Sequence, residues 1–298
     1  MSHETERHKT EHWPLGVFCS AGAGLGVPLE AAHQLGAPTV HLHAPPQSQL
    51  LSDFANELRD QLAALGLEAT VVFAGFDGES YADIPTVQKT VGLVPHATRA
   101  GRVAELKQII DFTAQLGVKR VGLHVGFVPH DASSQEFSAI VATQRELCDY
   151  AGDRSVKLHL ETGQEPVDVL LEFLAAVDRP NLFVNFDPAN MILYGCGEPL
   201  DALRKLGSYV QSVHCKDARW SDRPGDTWGE EVPLGHGDVG FEAFLRTLAQ
   251  IHYQGPLTIE REIPQEPDRQ YSEIRAGLEL LTRLKATLSS DGSEEPRP

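Results

Sequence analysis

Leu182-Phe183-Val184-Asn185-Phe186-Asp187-Pro188-Ala189-Asn190 is the stretch on which the reading of the fold turns. Leu182 to Phe186 is short, largely apolar and rich in aromatic and β-branched side chains, as in a strand covered on both faces. Pro188 has no N–H to give to a ladder, so the strand stops at or just past Asp187. A carboxylate therefore sits at the carboxyl end of a buried strand. That position costs solvation unless a cation or hydrogen bonds stabilise it.

The same unit, a short strand followed by a helical segment, repeats in both directions along the chain. Strands are expected at 15–20, 39–44, 69–76, 120–127, 156–161, 182–187, 210–216 and 256–262. Helices are expected at 28–36, 48–65, 97–116, 133–151, 166–177, 199–206, 241–251 and 269–288. Gly66 and Gly117 serve as stops, Ser133 or Ser134 as a cap, and Pro166 lies near a first turn. Residues 75–96 read as irregular with a short helical turn inside, and 218–238 as a long loop.

Helical connections between strands demand parallel pairing with right-handed crossovers. Eight such units fit an α/β single-domain (β/α)8 TIM barrel, a fold of about 250 residues. The expected organisation is an arm at 1–12, the barrel at 13–288 and a tail at 289–298. The arm and tail read as disordered, and His3, His8 and His12 as a solvated run rather than ligands. An open doubly wound sheet would bring GxGxxG after the first strand. Gly22-Ala23-Gly24-Leu25-Gly26 fails that pattern at Val27, so it reads as a βα loop.

The bulk properties narrow the function. The chain has 298 residues, with 25 basic against 42 acidic side chains and a net charge of −17. A phosphate-backbone partner needs a basic face, so nucleic acid is excluded as a partner. No apolar run reaches the roughly 18 residues of a membrane span, and no leader-like segment is present. Cys19, Cys148, Cys196 and Cys215 are scattered without a CxxC pair, which fits a reducing, cytoplasmic setting. Self-association is left open.

Active sites of such barrels lie at the carboxyl ends of the strands. Glu161, Asp187, His214 and Glu260 fall there, one on each of four successive strands. Three carboxylates and an imidazole brought together would repel one another unless a divalent cation sits between them. The oxygen-rich donor set with one nitrogen suits Mn²⁺, Mg²⁺ or Co²⁺, with Zn²⁺ as a further alternative. Two residues before each of these lies His159, Asn185, Ser212 or Thr258, all polar. Side chains alternate along a strand, so these four are expected to hydrogen-bond the ligands from beneath. His124 is a candidate for lining the site, and His41 and His43 are weaker ones.

These stretches together resemble the xylose-isomerase-like (AP endonuclease 2-type) barrel superfamily, in its sugar phosphate isomerase/epimerase branch. The matching segments are His159-Leu160-Glu161, Asn185 to Asn190, His214-Cys215-Lys216-Asp217, Pro233 to Val239 and Gly255 to Glu260. The resemblance implies one divalent metal held by Glu161, Asp187, His214 and Glu260, with the two glutamates facing each other across a small carbohydrate. Ketose 3-epimerases of this kind carry a histidine three residues after the aspartate, where this chain has Asn190. Their substrate-holding arginine falls six residues after the histidine ligand, where this chain has Trp220, preceded by Arg219.

The reaction this implies is proton transfer α to a carbonyl, with Glu161 and Glu260 as the catalytic groups. His124, Asn190, Lys216 and Arg219 are the candidates for binding sugar hydroxyls. Lys216 has a rival reading as an ion pair inside the barrel. Trp220 and Trp228 either stack on a sugar face from a lid at 218–238 or simply pack. Alternatives are a dehydratase acting on an inosose or keto-sugar, an endonuclease IV-like enzyme, and a non-catalytic sugar-binding barrel. The histidine-rich cluster of endonuclease IV is broken at Asn190, and the acidic chain opposes DNA.

Overall fold

A computed structural model describes residues 13–22, 24–50 and 52–291. The arm at 1–12, with its three histidines, and the tail beyond Asp291 lie outside the described residues. The first seven strands are β1 (Leu15–Ser20), β2 (Thr39–His43), β3 (Glu68–Phe73), β4 (Arg120–Leu123), β5 (Lys157–Glu161), β6 (Leu182–Phe186) and β7 (Val210–Cys215). Two short strands, β8 (Asp217–Arg219) and β9 (Glu230–Val232), precede the last one, β10 (Leu257–Ile259). Eight of these, all parallel, close into a barrel in the order β1-β10-β7-β6-β5-β4-β3-β2. Each of the eight falls within, or one residue beyond, a strand expected from the sequence.

The helices outside the barrel are α1 (Leu29–Gln34), α2 (Ser52–Leu65), α3 (Ile84–Thr90), α4 (His96–Leu116), α5 (Gln135–Gly152) and α6 (Val167–Val177). They continue as α7 (Pro188–Tyr194), α8 (Pro199–Leu206), α9 (Phe241–Gln250) and α10 (Pro267–Asp291). The start and stop signals act as their chemistry requires. Ser134 caps α5 by accepting from the Phe137 N–H at 3.1 Å. Gly117 ends α4 at φ 91°, a conformation that a side chain would strain.

Three departures from the expected elements matter for the site. First, β4 and β10 end short of the expected bounds, at Leu123 and Ile259. Past Leu123, the Val125 carbonyl accepts from the Leu93 and Val94 N–H groups of a covering loop instead of a neighbouring strand. Second, β6 ends at Phe186, and Asp187 starts a helix, α7, in which every residue is buried. Third, the expected 218–238 loop contains most of an antiparallel hairpin, in which β8 pairs with β9. The last helix runs to Asp291, three residues past the expected end.

The barrel interior is divided. Phe18, Val71 and Phe73 form a small apolar cluster on one side. On the other, His159, Asn185, Ser212 and Thr258 are buried polar groups. The larger apolar core lies between barrel and helices, where the outward faces of the strands meet residues such as Leu106, Ile140, Phe173 and Phe244.

Candidate metal centre at the barrel mouth

The register of the barrel brings the strand-end acids together. Glu161 ends β5 and lies beside Asn185 of β6, which pairs in turn with Ser212 of β7. His214 of β7 pairs with Thr258 of β10, and Glu260 follows that strand directly. As a result, one ligand atom from each of Glu161, Asp187, His214 and Glu260 lies within 4.8 Å of the others, and all four residues are buried. This is the constellation expected from the sequence.

His214 Nδ1 is turned into the carboxylates. It lies 2.7 Å from Glu161 Oε1, 3.4 Å from Glu260 Oε2 and 4.0 Å from Asp187 Oδ2. Asp187 divides its two oxygens. Oδ1 accepts from the Ala189 and Asn190 N–H groups at 2.8 and 3.0 Å, capping α7. Oδ2 is buried and has no hydrogen-bond partner. A buried carboxylate oxygen without a donor is costly, and an oxygen-seeking cation satisfies it. The donor set therefore fits a divalent metal ion.

Lys216 supplies positive charge at the same place. Its Nζ is 3.2 Å from Glu260 Oε2, 3.1 Å from Glu262 Oε1, 3.9 Å from Asp187 Oδ2 and 3.3 Å from Asn190 Oδ1. The interior ion pair named as one reading of Lys216 is thus present. Burial disfavours the ammonium, but Glu260, Glu262 and Asp187 outweigh it and hold the lysine charged. Burial also disfavours an imidazolium at His214, where Glu260 and Glu161 again prevail and push its pKa up. Burial raises Asp187 well above the usual carboxylate range, reinforced by Glu161 and Glu260 against Lys216. For Glu260, burial is overcome by His214 and Lys216, so its carboxyl titrates far below the usual range.

Around this core the structure sorts the remaining candidates. His124 Nε2 lies 3.2 Å from Glu161 Oε2, and the Gln164 amide donates to His124 Nδ1 at 3.2 Å. An amide NH₂ only donates, so this arrangement puts the imidazole proton on Nε2, facing Glu161. Asn190 is buried and bonded to Lys216. Arg219 is not brought to the cluster; its half-exposed side chain donates to the His236 carbonyl at 3.2 Å and faces Glu230. Trp228 packs on Tyr194 with ring centroids 4.5 Å apart.

The polar layer beneath the ligands is only partly as expected. Asn185 Nδ2 reaches Glu161 Oε1 at 3.5 Å. His159 and Ser212 bond each other at 2.7 Å, and Thr258 Oγ1 has no partner. A residue outside that layer, His41, also reaches a ligand, with its Nδ1 3.1 Å from His214 Nε2. His43 instead meets the Ala44 carbonyl. Sequence reasoning missed Gln164 and Glu262. The signal for Glu262 was its place two residues after Glu260, on the same face of an extended chain.

A closed parallel barrel with helices between its strands defines a class, the TIM barrels, and the buried carboxylates and imidazole at its strand ends fit a metal site. The match narrows further: residues 29–284 fit the model of the xylose isomerase-like TIM barrel family, and the chain belongs to it. A solved xylose isomerase domain protein from Planctomyces limnophilus is 54% identical. It covers 93% of this chain and 99% of its own, with a TM-score of 0.92. An L-ribulose 3-epimerase from Methylomonas sp. (strain DH-1) is 31% identical over 147 residues, 46% of each chain. An inosose dehydratase from Clostridium botulinum (strain Eklund 17B / Type B) is 24% identical over 148 residues, 45% of this chain and 49% of its own. The chain thus spans about half the length of these two curated relatives. No helix among the described residues is long and apolar enough to cross a membrane.

Proposed function

We propose that this chain is a divalent-metal-dependent isomerase or epimerase of a small carbohydrate, phosphorylated or free, working in the cytoplasm with Mn²⁺ as the foremost candidate ion. The observation that carries the reading is the convergence of Glu161, Asp187, His214 and Glu260 within 4.8 Å at the mouth of the barrel. Similarity to a 3-epimerase supports the reaction class.

Glu161, Asp187, His214 and Glu260 would hold the ion. When bound, it would polarise the substrate carbonyl and stabilise the negative charge that develops on the adjacent oxygens. The chain's own residues handle the proton. One of Glu161 and Glu260 removes it from the carbon next to the carbonyl, and the same or the other glutamate returns it. Return to the opposite face epimerises; return to the neighbouring carbon isomerises. The His124 N–H holds Glu161 Oε2 in a fixed orientation, and Gln164 holds His124. Lys216 and Asn190, bonded to each other beside Glu260, would meet substrate hydroxyls. Arg219 joins them only if the hairpin moves on substrate binding.

Dehydration is the second reading. It begins with the same proton abstraction and then expels a hydroxyl, and similarity to an inosose dehydratase favours weighing it. One experiment separates the two. Metal content is measured first, and a panel of sugars, sugar phosphates and inososes is then incubated in D₂O. Deuterium gained at unchanged composition supports isomerase or epimerase chemistry, whereas loss of water from the product supports the dehydratase. Folded Glu161→Gln and Glu260→Gln variants that retain full turnover would sink both.

A further inference from the structure

We propose that His41 is a positioning residue for the metal centre, holding His214 as the tautomer whose Nδ1 lone pair is free for a cation. The inference rests on the metal-site reading above. His41 projects from β2 and His214 from β7, and β1 and β10 stand between these strands in the closed barrel. The contact therefore spans the interior. His41 Nδ1 is 3.1 Å from His214 Nε2, and both residues are fully buried. Phe18 and Phe73 enclose the pair, with Phe73 centred 5.4 Å from His41 and 4.7 Å from His214, and Phe18 5.4 Å from His214.

Once Nδ1 of His214 faces a cation, the ring proton must sit on Nε2, where it needs an acceptor. Metal-bound histidines usually give that proton to a carboxylate or a backbone carbonyl. Here the group within reach is the Nδ1 of His41. The far side of His41 points the same way. A His41 that accepts at Nδ1 carries its own proton on Nε2, and that atom is buried with no hydrogen-bond partner. An unmade buried hydrogen bond destabilises the fold. A residue serving only packing would be apolar here, like Phe18, Val71 and Phe73 around it. The imidazole brings an orphaned donor into this cluster while giving His214 its acceptor.

The test is Mn²⁺ affinity of the full chain by titration calorimetry, with thermal melting of the metal-free protein alongside. His41→Leu is expected to bind Mn²⁺ about tenfold to a hundredfold more weakly. Metal-free, it should melt close to the parent, because the substitution removes the orphaned Nε2 of His41 and orphans Nε2 of His214 in its place. His41→Asn keeps an acceptor where Nδ1 stood and should recover most of the affinity. A folded His41→Leu with parental affinity overturns the proposal. So does a His41→Asn no tighter than His41→Leu, and so does a His41→Leu chain that cannot fold, because the imidazole would then be a structural support. A parent protein that binds no divalent ion would instead remove the metal-site reading on which the proposal stands.

Discussion

Lys216 Nζ lies 3.2 Å from Glu260 Oε2, with lysine 2% and glutamate 8% exposed at the side chain. An ammonium is thus fixed beside one of the two glutamates proposed for proton transfer, whereas Glu161 meets the His124 imidazole. The two glutamates have unequal partners, and the lysine shares its charge with Glu262 and Asp187.

Lys216→Met tests what that ammonium does. Removing one partner of a buried ion pair leaves the other uncompensated, and the metal-free protein should lose about 3–5 kcal/mol in urea denaturation. Saturating Mn²⁺ should narrow the gap, because a bound cation takes over the neutralisation of Glu260. Equal stability of the two metal-free proteins would show that the cluster sheds its charge by protonation alone.

Asp187 performs two tasks that can be separated. Asp187→Asn retains an acceptor oxygen for the Ala189 and Asn190 N–H groups but removes the anionic ligand. It should keep α7 and lose most Mn²⁺ binding. Asp187→Ala removes the cap as well and should unfold about 1 kcal/mol more easily than Asp187→Asn. Calorimetric metal titrations paired with denaturation curves read both effects. Undiminished Mn²⁺ affinity in a folded Asp187→Asn would remove Asp187 from the ligand set.

The strand ends were legible because barrel chemistry is written locally: a β-rich run, then an acid, then a breaker. Asp187 and Glu161 fit that pattern, and His214 and Glu260 stand at the ends of β-rich runs in the same way, each readable without reference to the others. What lay hidden depends on closure. His41 meets His214 only because β2 and β7 face one another across the interior, 173 residues apart in sequence. Ser212 and Thr258 share the expected face, but His159 takes up the Ser212 hydroxyl. The β8–β9 hairpin was illegible for another reason. Its strands are three residues each, too short for any period, and the Pro224-Gly225 turn in the loop between them does not mark which residues pair.

Asp217 anchors the loop that leads out of that hairpin. Its carboxylate accepts from Ala218, Gly235, Gly237 and Val239 N–H groups at 3.0, 2.9, 3.0 and 3.3 Å. Four donors converging on one carboxylate pin the 233–239 segment against β8. Asp217→Ala orphans them and should cost about 2–4 kcal/mol, since hydrogen bonds to a charged group are worth more than neutral ones. The carboxylate makes no hydrogen bond to the four ligand residues, so Mn²⁺ affinity of the folded variant should match the parent. A parallel fall in affinity would mean that this segment shapes the metal centre.

Glu165 gives the pH prediction. It is buried, it accepts from the Val128 N–H at 3.4 Å, and burial raises its pKa to about 8 from an ordinary 4.5. Between those two values the folded chain holds a proton that the unfolded chain has released. Stability conferred by the neutral carboxyl is complete below pH 4.5 and is lost as pH rises through about 8. Glu165→Gln keeps the shape and cannot ionise. Parent and variant should therefore match in stability near pH 4.5, and the variant should gain steadily above it. At pH 9 the gap should reach the order of 1–4 kcal/mol in favour of glutamine. Thermal and urea unfolding across this range check the slope. A gap that stays flat with pH would mean that Glu165 ionises as easily inside the protein as in water.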